Sequence, residues 1–261
     1  MRYREIVPPP DLRQFVLAYW EFAISESMPG PFTHHIFPDG CALVSYAARS
    51  ARAPSIIAVV GPTTEARLVD CWPGDIFWGI RLQPAACRAV LGCGPASLLN
   101  QRLPCAETNL ALHQALLAEV NASTCFERTV AGFSRALRAI KLCNRLVDNK
   151  VAAAAELIDR DGGRARIPHI ATAVKLSQRQ LQRRFSLAVG LSPKQFARTR
   201  RLRATAVALV KTAPADWAGL ALEMGFTDQS HLTHEFGALT RESPVLFERR
   251  VRAVEHGTLL K

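Results

Sequence analysis

The sequence predicts an α+β protein in two parts, a β-rich N-terminal domain and an all-α C-terminal domain. Residues 1–103 alternate short apolar runs with proline and glycine, which is typical of strands joined by tight turns. Residues 110–146 place apolar side chains at three- and four-residue steps, which is typical of helices. Residues 167–247 contain one helical unit written twice. We therefore expect domains at residues 1–149 and 150–261.

Four apolar runs in the first 103 residues are candidate strands. Turn signals such as Pro38-Asp39-Gly40 and Pro73-Gly74 separate them. The runs occupy residues 15–22, 41–46, 55–60 and 76–82. The first run is also compatible with a helix, because its apolar residues continue a helical period that begins at Leu12.

Helices follow the candidate strands. Residues 85–91 read as a short helical piece, and residues 110–120 and 125–146 read as two longer helices with apolar faces. These faces either pack on the N-terminal domain or contact another molecule. Residues 151–158 begin the leading helix of the C-terminal domain, and Gly162-Gly163 ends it because glycine is favoured just past a helix C-terminus.

The repeat in the C-terminal domain is defined by four pairs of matching positions. Each pair is separated by 51 residues: Leu181 and Leu232, Phe185 and Phe236, Pro193 and Pro244, and Phe196 and Phe247. Each copy reads as a helix, a tight turn and a second helix, which is the pattern of a helix-turn-helix unit. In such a unit the second helix enters the major groove of DNA.

The second helix of each copy has a polar outer face. Leu181 and Phe185 point inward in the first copy, so the residues on the opposite side of the helix face solvent. Arginine and glutamine pair with guanine and adenine edges respectively, at about 1–3 kcal/mol of discrimination each. The candidate DNA-binding residues are Gln178, Arg179, Gln182 and Arg183 in the first copy, and Gln229, Ser230, Thr233 and His234 in the second.

At these residues the chain resembles the AraC/XylS family of bacterial transcription regulators. The resemblance covers residues 154–252 and is most specific in Ala221-Leu222-Glu223-Met224-Gly225-Phe226 and in Ser243-Pro244-Val245-Leu246-Phe247. It implies two helix-turn-helix units joined by one long helix, here residues 193–210. It also implies that Arg179, Gln182 and Arg183 of the first copy face the bases, together with the four candidate residues of the second copy. Two positions depart from the family pattern: Lys175 stands where glycine is usual, and His234 stands where a basic residue is common.

The resemblance also implies the role of the N-terminal domain and the partners. Members of the family often carry an N-terminal cupin-like barrel, followed by linker and dimerisation helices, here residues 110–120 and 125–146. The expected partners are double-stranded promoter or operator DNA, a small-molecule effector, a second copy of the chain in a homodimer, and RNA polymerase if the protein is an activator. Trp20, Trp72 and Trp78 are candidates for an effector pocket, although each is more typical of a core.

The distribution of charge agrees with a DNA partner. The chain has a net charge of +11. Residues 150–261 hold 19 Lys and Arg against 10 Asp and Glu, whereas residues 1–149 hold 14 against 12. The basic excess therefore lies on the domain that carries the repeat, as contacts with phosphates require.

Cysteine usage and hydropathy indicate a cytoplasmic protein. The seven cysteines have irregular spacing and no CxxC pair, so we expect buried free thiols rather than disulfides or a zinc site. The N-terminus lacks the apolar run of a signal peptide, and no stretch has the 18 or more apolar residues of a membrane span.

Enzymatic readings have little support in the sequence. His34 and His35 are adjacent and would point to opposite faces of a strand, so they do not form a metal site with Asp39. No Walker lysine, G-x-G-x-x-G context or G-x-S-x-G elbow occurs. We expect no catalytic residue, metal or cofactor. The alternatives are a small-molecule-binding or enzymatic barrel with an accessory DNA-binding module, and a regulator controlled by a protein partner through the 110–146 helices.

Overall fold

A computed structural model describes residues 1–50, 56–121, 123, 125–140, 142, 146–211 and 216–253. All eight strands of this part of the chain lie before residue 105, and the region that follows is helical. The α+β class predicted from the sequence is confirmed.

The N-terminal region is built on two antiparallel sheets. The larger has six strands in the order β1-β2-β7-β4-β5-β8, and the smaller is a two-stranded ribbon of β3 and β6. Their bounds are β1 (Arg2–Ile6), β2 (Val16–Ala23), β3 (Phe32–Ile36), β4 (Leu43–Arg49), β5 (Ile57–Val60), β6 (Arg67–Cys71), β7 (Ile76–Leu82) and β8 (Arg102–Pro104).

The first apolar run forms strand β2, so its helical interpretation is wrong. Leu12 ends a short 3₁₀ helix (Pro10–Leu12), and pairing with β1 and β7 starts at the residues that follow. The register of β2 against β7 shifts between Val16 and Ala18. Such a bulge breaks the two-residue alternation of a regular strand. Leu12 and Phe15, which begin the apparent helical period, lie in the 3₁₀ helix and the turn before β2, so the period spans separate elements.

Four α-helices of the described chain precede the C-terminal region, the first of them before β8 and the others after it: α1 (Cys87–Leu91), α2 (Cys105–Thr108), α3 (Leu110–Val120) and α4 (Phe126–Ala139). Helix α3 has the predicted bounds. Helix α4 ends at Ala139 instead of continuing to residue 146, because Ile140 adopts an extended conformation; residues 141 and 143–145 lie outside the described part. Phe133 packs on Tyr19 of β2, and Ser134 hydrogen-bonds the Tyr19 hydroxyl at 2.9 Å. The apolar face of α4 therefore packs on the larger sheet.

Seven helices form the described part of the C-terminal region. They are α5 (Asn149–Arg160), α6 (Ile167–Ala173), α7 (Gln178–Val189), α8 (Pro193–Lys211), α9 (Trp217–Glu223), α10 (Gln229–Thr240) and α11 (Pro244–Ala253). The first helix-turn-helix unit consists of α6 and α7, and the second consists of α9 and α10. Helix α8 joins the two units, as the sequence predicts for residues 193–210.

The apolar core runs without interruption from the larger sheet into the first unit. One cluster of buried residues contains Tyr19 and Val59 of the sheet together with Leu181, Phe185 and Phe196 of α7 and α8. The second unit has two smaller clusters of its own, around Phe236 and around Phe226. The first unit and the N-terminal region thus share one core.

Six described cysteines are free thiols, as expected, and four of them are buried. Burial raises the pKa of Cys41 to about 11 and the pKa values of Cys71, Cys87 and Cys105 to about 12. These four thiols are accordingly neutral side chains of the core near pH 7.

Asp148 joins the start of α5 to α7. Its carboxylate caps α5 by accepting hydrogen bonds from the Lys150 and Val151 amides, and it receives two 2.7 Å hydrogen bonds from Arg184. Burial alone would raise the pKa of Asp148, but the hydrogen bonds from Arg184 and the backbone amides outweigh it and lower that pKa. The ionised carboxylate therefore stabilises the folded state.

Asp148→Asn keeps a capping side chain but removes the charge, so it isolates the pair with Arg184. We expect it to lower the free energy of unfolding at pH 7 by about 1 kcal/mol, because the pair is partly exposed. The pKa of Asp148 is lower in the folded than in the unfolded protein. The difference in free energy of unfolding between wild type and variant is therefore complete above the ordinary aspartate pKa of about 3.9, and it disappears as the pH falls through the lowered pKa.

Urea unfolding of both proteins between pH 7 and pH 2.5 measures this difference. Asp161→Asn is the control, since Asp161 lies 3.8 Å from Arg164 and about half of its side chain is exposed. An Asp148→Asn effect that is absent at pH 7, or that persists undiminished at pH 2.5, would contradict the assignment.

Candidate nucleic-acid interface

A capping box stabilises the start of α7 in the first unit. The Ser177 hydroxyl accepts a hydrogen bond from the Gln180 amide at 3.2 Å, and the Gln180 side chain accepts one from the Ser177 amide at 2.9 Å. These two bonds satisfy amides that a helix start leaves without partners. Gly190 ends the helix in the left-handed conformation at φ 82°. The sequence thus fixes both ends of α7.

The turn of the first unit contains Lys175 in the left-handed region, at φ 55°. The Leu176 amide donates to the Ala171 carbonyl at 2.9 Å, which closes the turn. In the second unit Gly225 occupies the same place at φ 79°, and the Phe226 amide donates to the Ala221 carbonyl at the same distance. The departure at Lys175 therefore leaves the turn geometry intact but introduces backbone strain, since a side chain disfavours this conformation.

The turn positions of the two units are 50 residues apart, whereas the matching helix positions are 51 apart. The second unit has one more residue, Thr227, between the turn and the cap. Thr227 donates from its amide to Nδ1 of His231 at 3.2 Å, and Asp228 accepts from the His231 amide at 2.7 Å. That backbone hydrogen bond lowers the pKa of Asp228. The extra residue therefore lies before α10 and leaves the spacing within the helix unchanged.

Both outer faces are exposed as predicted. In α7 the buried residues are Leu181, Phe185 and Val189, and in α10 they include Leu232, Phe236 and Leu239. All eight candidate DNA-binding residues are exposed: Gln178, Arg179, Gln182, Arg183, Gln229, Ser230, Thr233 and His234. Among the described residues, Arg179 and Arg183 have no carboxylate partner, whereas the neighbouring Arg184 is held by Asp148.

Helix α8 holds the second unit through polar contacts that the sequence does not reveal. Arg198 forms a 2.8 Å ion pair with Glu235 of α10. Arg201 donates to the Gly225 carbonyl at 2.9 Å, and its guanidinium lies 4.7 Å from the centre of the Phe226 ring. Two arginines of the basic region therefore position the second unit and are not free for phosphates.

A cavity of about 620 Å³ lies between the ribbon and the larger sheet. Its lining is mostly apolar and also includes Arg203 of α8 and Phe247 of α11. Of the three tryptophans proposed for a pocket, Trp20 lines the cavity, whereas Trp78 is buried and donates a 2.9 Å hydrogen bond to Glu21. Gly79 is required beside Trp20, because an added Cβ would lie 2.3 Å from the indole ring.

The cavity has a positive lining. Arg81 is neutralised by Asp39 and Glu5, but Arg67, Arg102 and Arg203 have no carboxylate partner within the described ranges. Burial lowers the pKa of Arg67, and the nearby charge of Arg102 lowers it further. Sequence reasoning missed these arginines because β6, β8 and α8 converge only in three dimensions.

The two adjacent histidines take different partners at the ribbon. His34 stacks on Phe22 with ring centres 4.5 Å apart, and His35 lies 3.7 Å from a Glu242 carboxylate oxygen of the second unit. In the part of the chain that the structure describes, no group of three or more His, Cys, Asp and Glu is placed to hold a metal ion. None of the described helices is both long enough and apolar enough to cross a membrane.

Residues 170–250 match the family model "Helix-turn-helix domain", and residues 4–104 match "Domain of unknown function (DUF6597)". No curated protein matches the chain significantly. Residues 170–250 are a helix-turn-helix domain of the AraC type, and this match supports a DNA-binding transcriptional regulator.

Several solved structures are similar to this chain. A probable AraC family transcriptional regulator from Rhodopseudomonas palustris is 24% identical, with a TM-score of 0.36 over 40% of this chain and 98% of that one. ToxT from Vibrio cholerae is 12% identical, with a TM-score of 0.45 over 92% of this chain and 98% of that one. A ToxT structure with a bound unsaturated fatty acid is 10% identical, with a TM-score of 0.41 over 88% and 99%.

The strain at Lys175 gives a prediction about stability. We expect Lys175→Gly to raise the free energy of unfolding by about 0.5–1 kcal/mol relative to Lys175→Ala, because glycine adopts positive φ without a steric penalty. The alanine variant removes the same charge but keeps the Cβ, so the comparison isolates the backbone. Equal urea midpoints for the two variants would show that the turn is not strained.

Proposed function

We propose that α7 and α10 enter successive major-groove segments on one face of operator DNA, about one helical turn apart. The observation that carries this proposal is the exposure of all eight outward side chains on two capped helices whose inner faces are buried. Residues 150–261 would then be the DNA-binding domain, and residues 1–149 the sensing and dimerisation domain.

The first recognition helix supplies most of the base reading in this proposal. Arg179 and Arg183 carry the bidentate donors that pair with guanine, and Gln178 and Gln182 match adenine. The outward set of α10, which consists of Gln229, Ser230, Thr233 and His234, is less basic and contributes less affinity. Other exposed Lys and Arg side chains of residues 150–261 that have no carboxylate partner supply contacts with phosphates, which weaken as salt is added. At a promoter, an activator of this type would also contact RNA polymerase.

Arg183→Ala tests the assignment of a base reader. We expect it to lower affinity for an operator selected from a randomised duplex pool by about 1–3 kcal/mol and to lower affinity for a shuffled duplex much less, because a base contact carries sequence discrimination. Fluorescence anisotropy with both duplexes at one salt concentration measures the ratio.

Arg160→Ala is the matched control, since it removes one positive charge from an exposed side chain outside both recognition helices. This control should weaken both duplexes equally and slightly. If Arg183→Ala also lowers affinity equally for both duplexes, Arg183 contacts phosphate and does not read a base.

We infer further that the cavity between the two sheets binds a small-molecule effector with an apolar body and an anionic group. A volume of 620 Å³ lies within the range of ligand pockets, and an apolar lining with a few polar groups is their usual composition. Arg67 and Arg102 supply unneutralised guanidinium groups at the cavity, and guanidinium suits carboxylate and phosphate. The exposed Arg102 places this charge where a ligand can reach it.

The dye 8-anilinonaphthalene-1-sulfonate has both properties and serves as a probe. We expect Arg67→Gln combined with Arg102→Gln to weaken its binding to the full chain by about tenfold, as loss of a charge-assisted contact predicts. Arg88→Gln combined with Arg160→Gln removes two charges from exposed side chains that do not line the cavity. Equal weakening by both pairs would place the dye elsewhere.

A further inference from the structure

The second helix-turn-helix unit depends on a residue of the N-terminal region to complete its core. Its main cluster contains Leu202, Ala206 and Leu209 of α8 with Phe236, Leu239 and Phe247. Phe37, the residue after β3, packs against this cluster: its ring centre lies 5.1 Å from that of Phe247 and 6.5 Å from that of Phe236, both edge to face. Aromatic pairs favour this geometry.

Backbone and polar contacts from the same place join the second unit. The Ala66 amide, just before β6, donates to the Leu239 carbonyl at 2.6 Å. Glu65 forms a 3.0 Å ion pair with Arg241, and His35 lies 3.7 Å from Glu242. Because Ile36 pairs with Arg67 in the ribbon, Phe37 and Ala66 lie at the same end of it. We call residues 35–37 and 65–66 the ribbon end.

The contacts at the ribbon end differ in how strongly they fix the position of the second unit. The Glu65–Arg241 pair is half-exposed on both sides, so it contributes little. The Ala66 hydrogen bond contacts α10 at one carbonyl only. The ring of Phe37 packs against both α10 and α11. Phe37 therefore constrains both helices together, whereas the arginine contacts from α8 reach α10 and the turn before it.

We propose that the ribbon end is a docking surface that sets the position of the second recognition helix, with Phe37 as the positioning residue. The first unit is fixed by the core it shares with the larger sheet, so the ribbon end, together with the contacts from α8, determines the separation between α7 and α10. Given the proposed DNA-binding function, this separation sets the spacing between two blocks of an operator. The ribbon also forms a wall of the cavity, so an effector there would contact the positioning element.

The docking is tested without DNA by hydrogen exchange on the full chain. Phe37→Ala is compared with Phe32→Ala, which removes the same side chain at the opposite end of β3, where Phe32 pairs with Cys71. Both phenylalanines are half-buried. We expect Phe37→Ala to speed exchange of α10 amides by about tenfold relative to Phe32→Ala and to leave α7 unchanged. Unchanged exchange in α10 would overturn the proposal.

The effect on spacing is tested with duplexes that carry both blocks at separations varied by one base pair. Wild type and Phe32→Ala should prefer one separation, whereas Phe37→Ala should flatten the preference and lower affinity for the best duplex by about tenfold. Affinity for a duplex with only the first block should stay within about twofold of wild type. A sharp, unshifted preference in Phe37→Ala would also overturn the proposal.

The two arms separate failure of the docking from failure of the DNA-binding function. Lack of any sequence preference in wild type would reject the DNA-binding function, while hydrogen exchange would still decide the docking. Phe37→Leu covers the case in which Phe37→Ala fails to fold, because leucine keeps an apolar side chain but loses the aromatic pairs. Faster exchange confined to the second unit is expected for Phe37→Leu, and wild-type exchange would count against docking.

Discussion

The close packing of Phe196 on Gly40 joins the N-terminal region to the helix on which both helix-turn-helix units depend. An added Cβ at Gly40 would lie 2.6 Å from the Phe196 ring, and the backbone there has φ +71°, so only glycine suits the position. Phe196 in turn packs on Phe185 of the first recognition helix at 5.4 Å between ring centres. The orientation of α7 thus depends on a turn between two strands.

A buried charge reinforces the same junction. Arg200 of α8 lies next to Phe196 in space, with its guanidinium 4.8 Å from the ring centre. It donates to the sulfur of Cys41 at 3.4 Å and lies 3.2 Å from an Asp159 carboxylate oxygen. A buried guanidinium without such partners is costly, so Arg200 favours one arrangement of α5, α8 and the turn after β3. The N-terminal region and the first unit are therefore expected to move as one body.

Local patterns were sufficient to predict the helices of the C-terminal region and their outer faces. The 51-residue offset and the caps at Ser177 and Asp228 are encoded within a few residues of each helix, and the structure confirms them. The cavity arginines and the docking of Phe37 could not be predicted this way. They depend on contacts between residues such as Phe37 and Phe247, which are far apart in the sequence and carry no periodic signal. The bulge in β2 likewise could not be predicted from the local apolar pattern.

Selection of the full chain against a randomised duplex pool, with sequencing of the bound fraction at two salt concentrations, decides whether the two recognition helices read DNA sequence together. Two exposed recognition helices held at a fixed separation predict enrichment of a site with two blocks about one helical turn apart. They also predict affinity that falls steeply as salt rises, because phosphate contacts release counterions. Salt-sensitive binding without sequence enrichment would mean that the recognition helices do not read bases and that the protein binds DNA only through a basic surface.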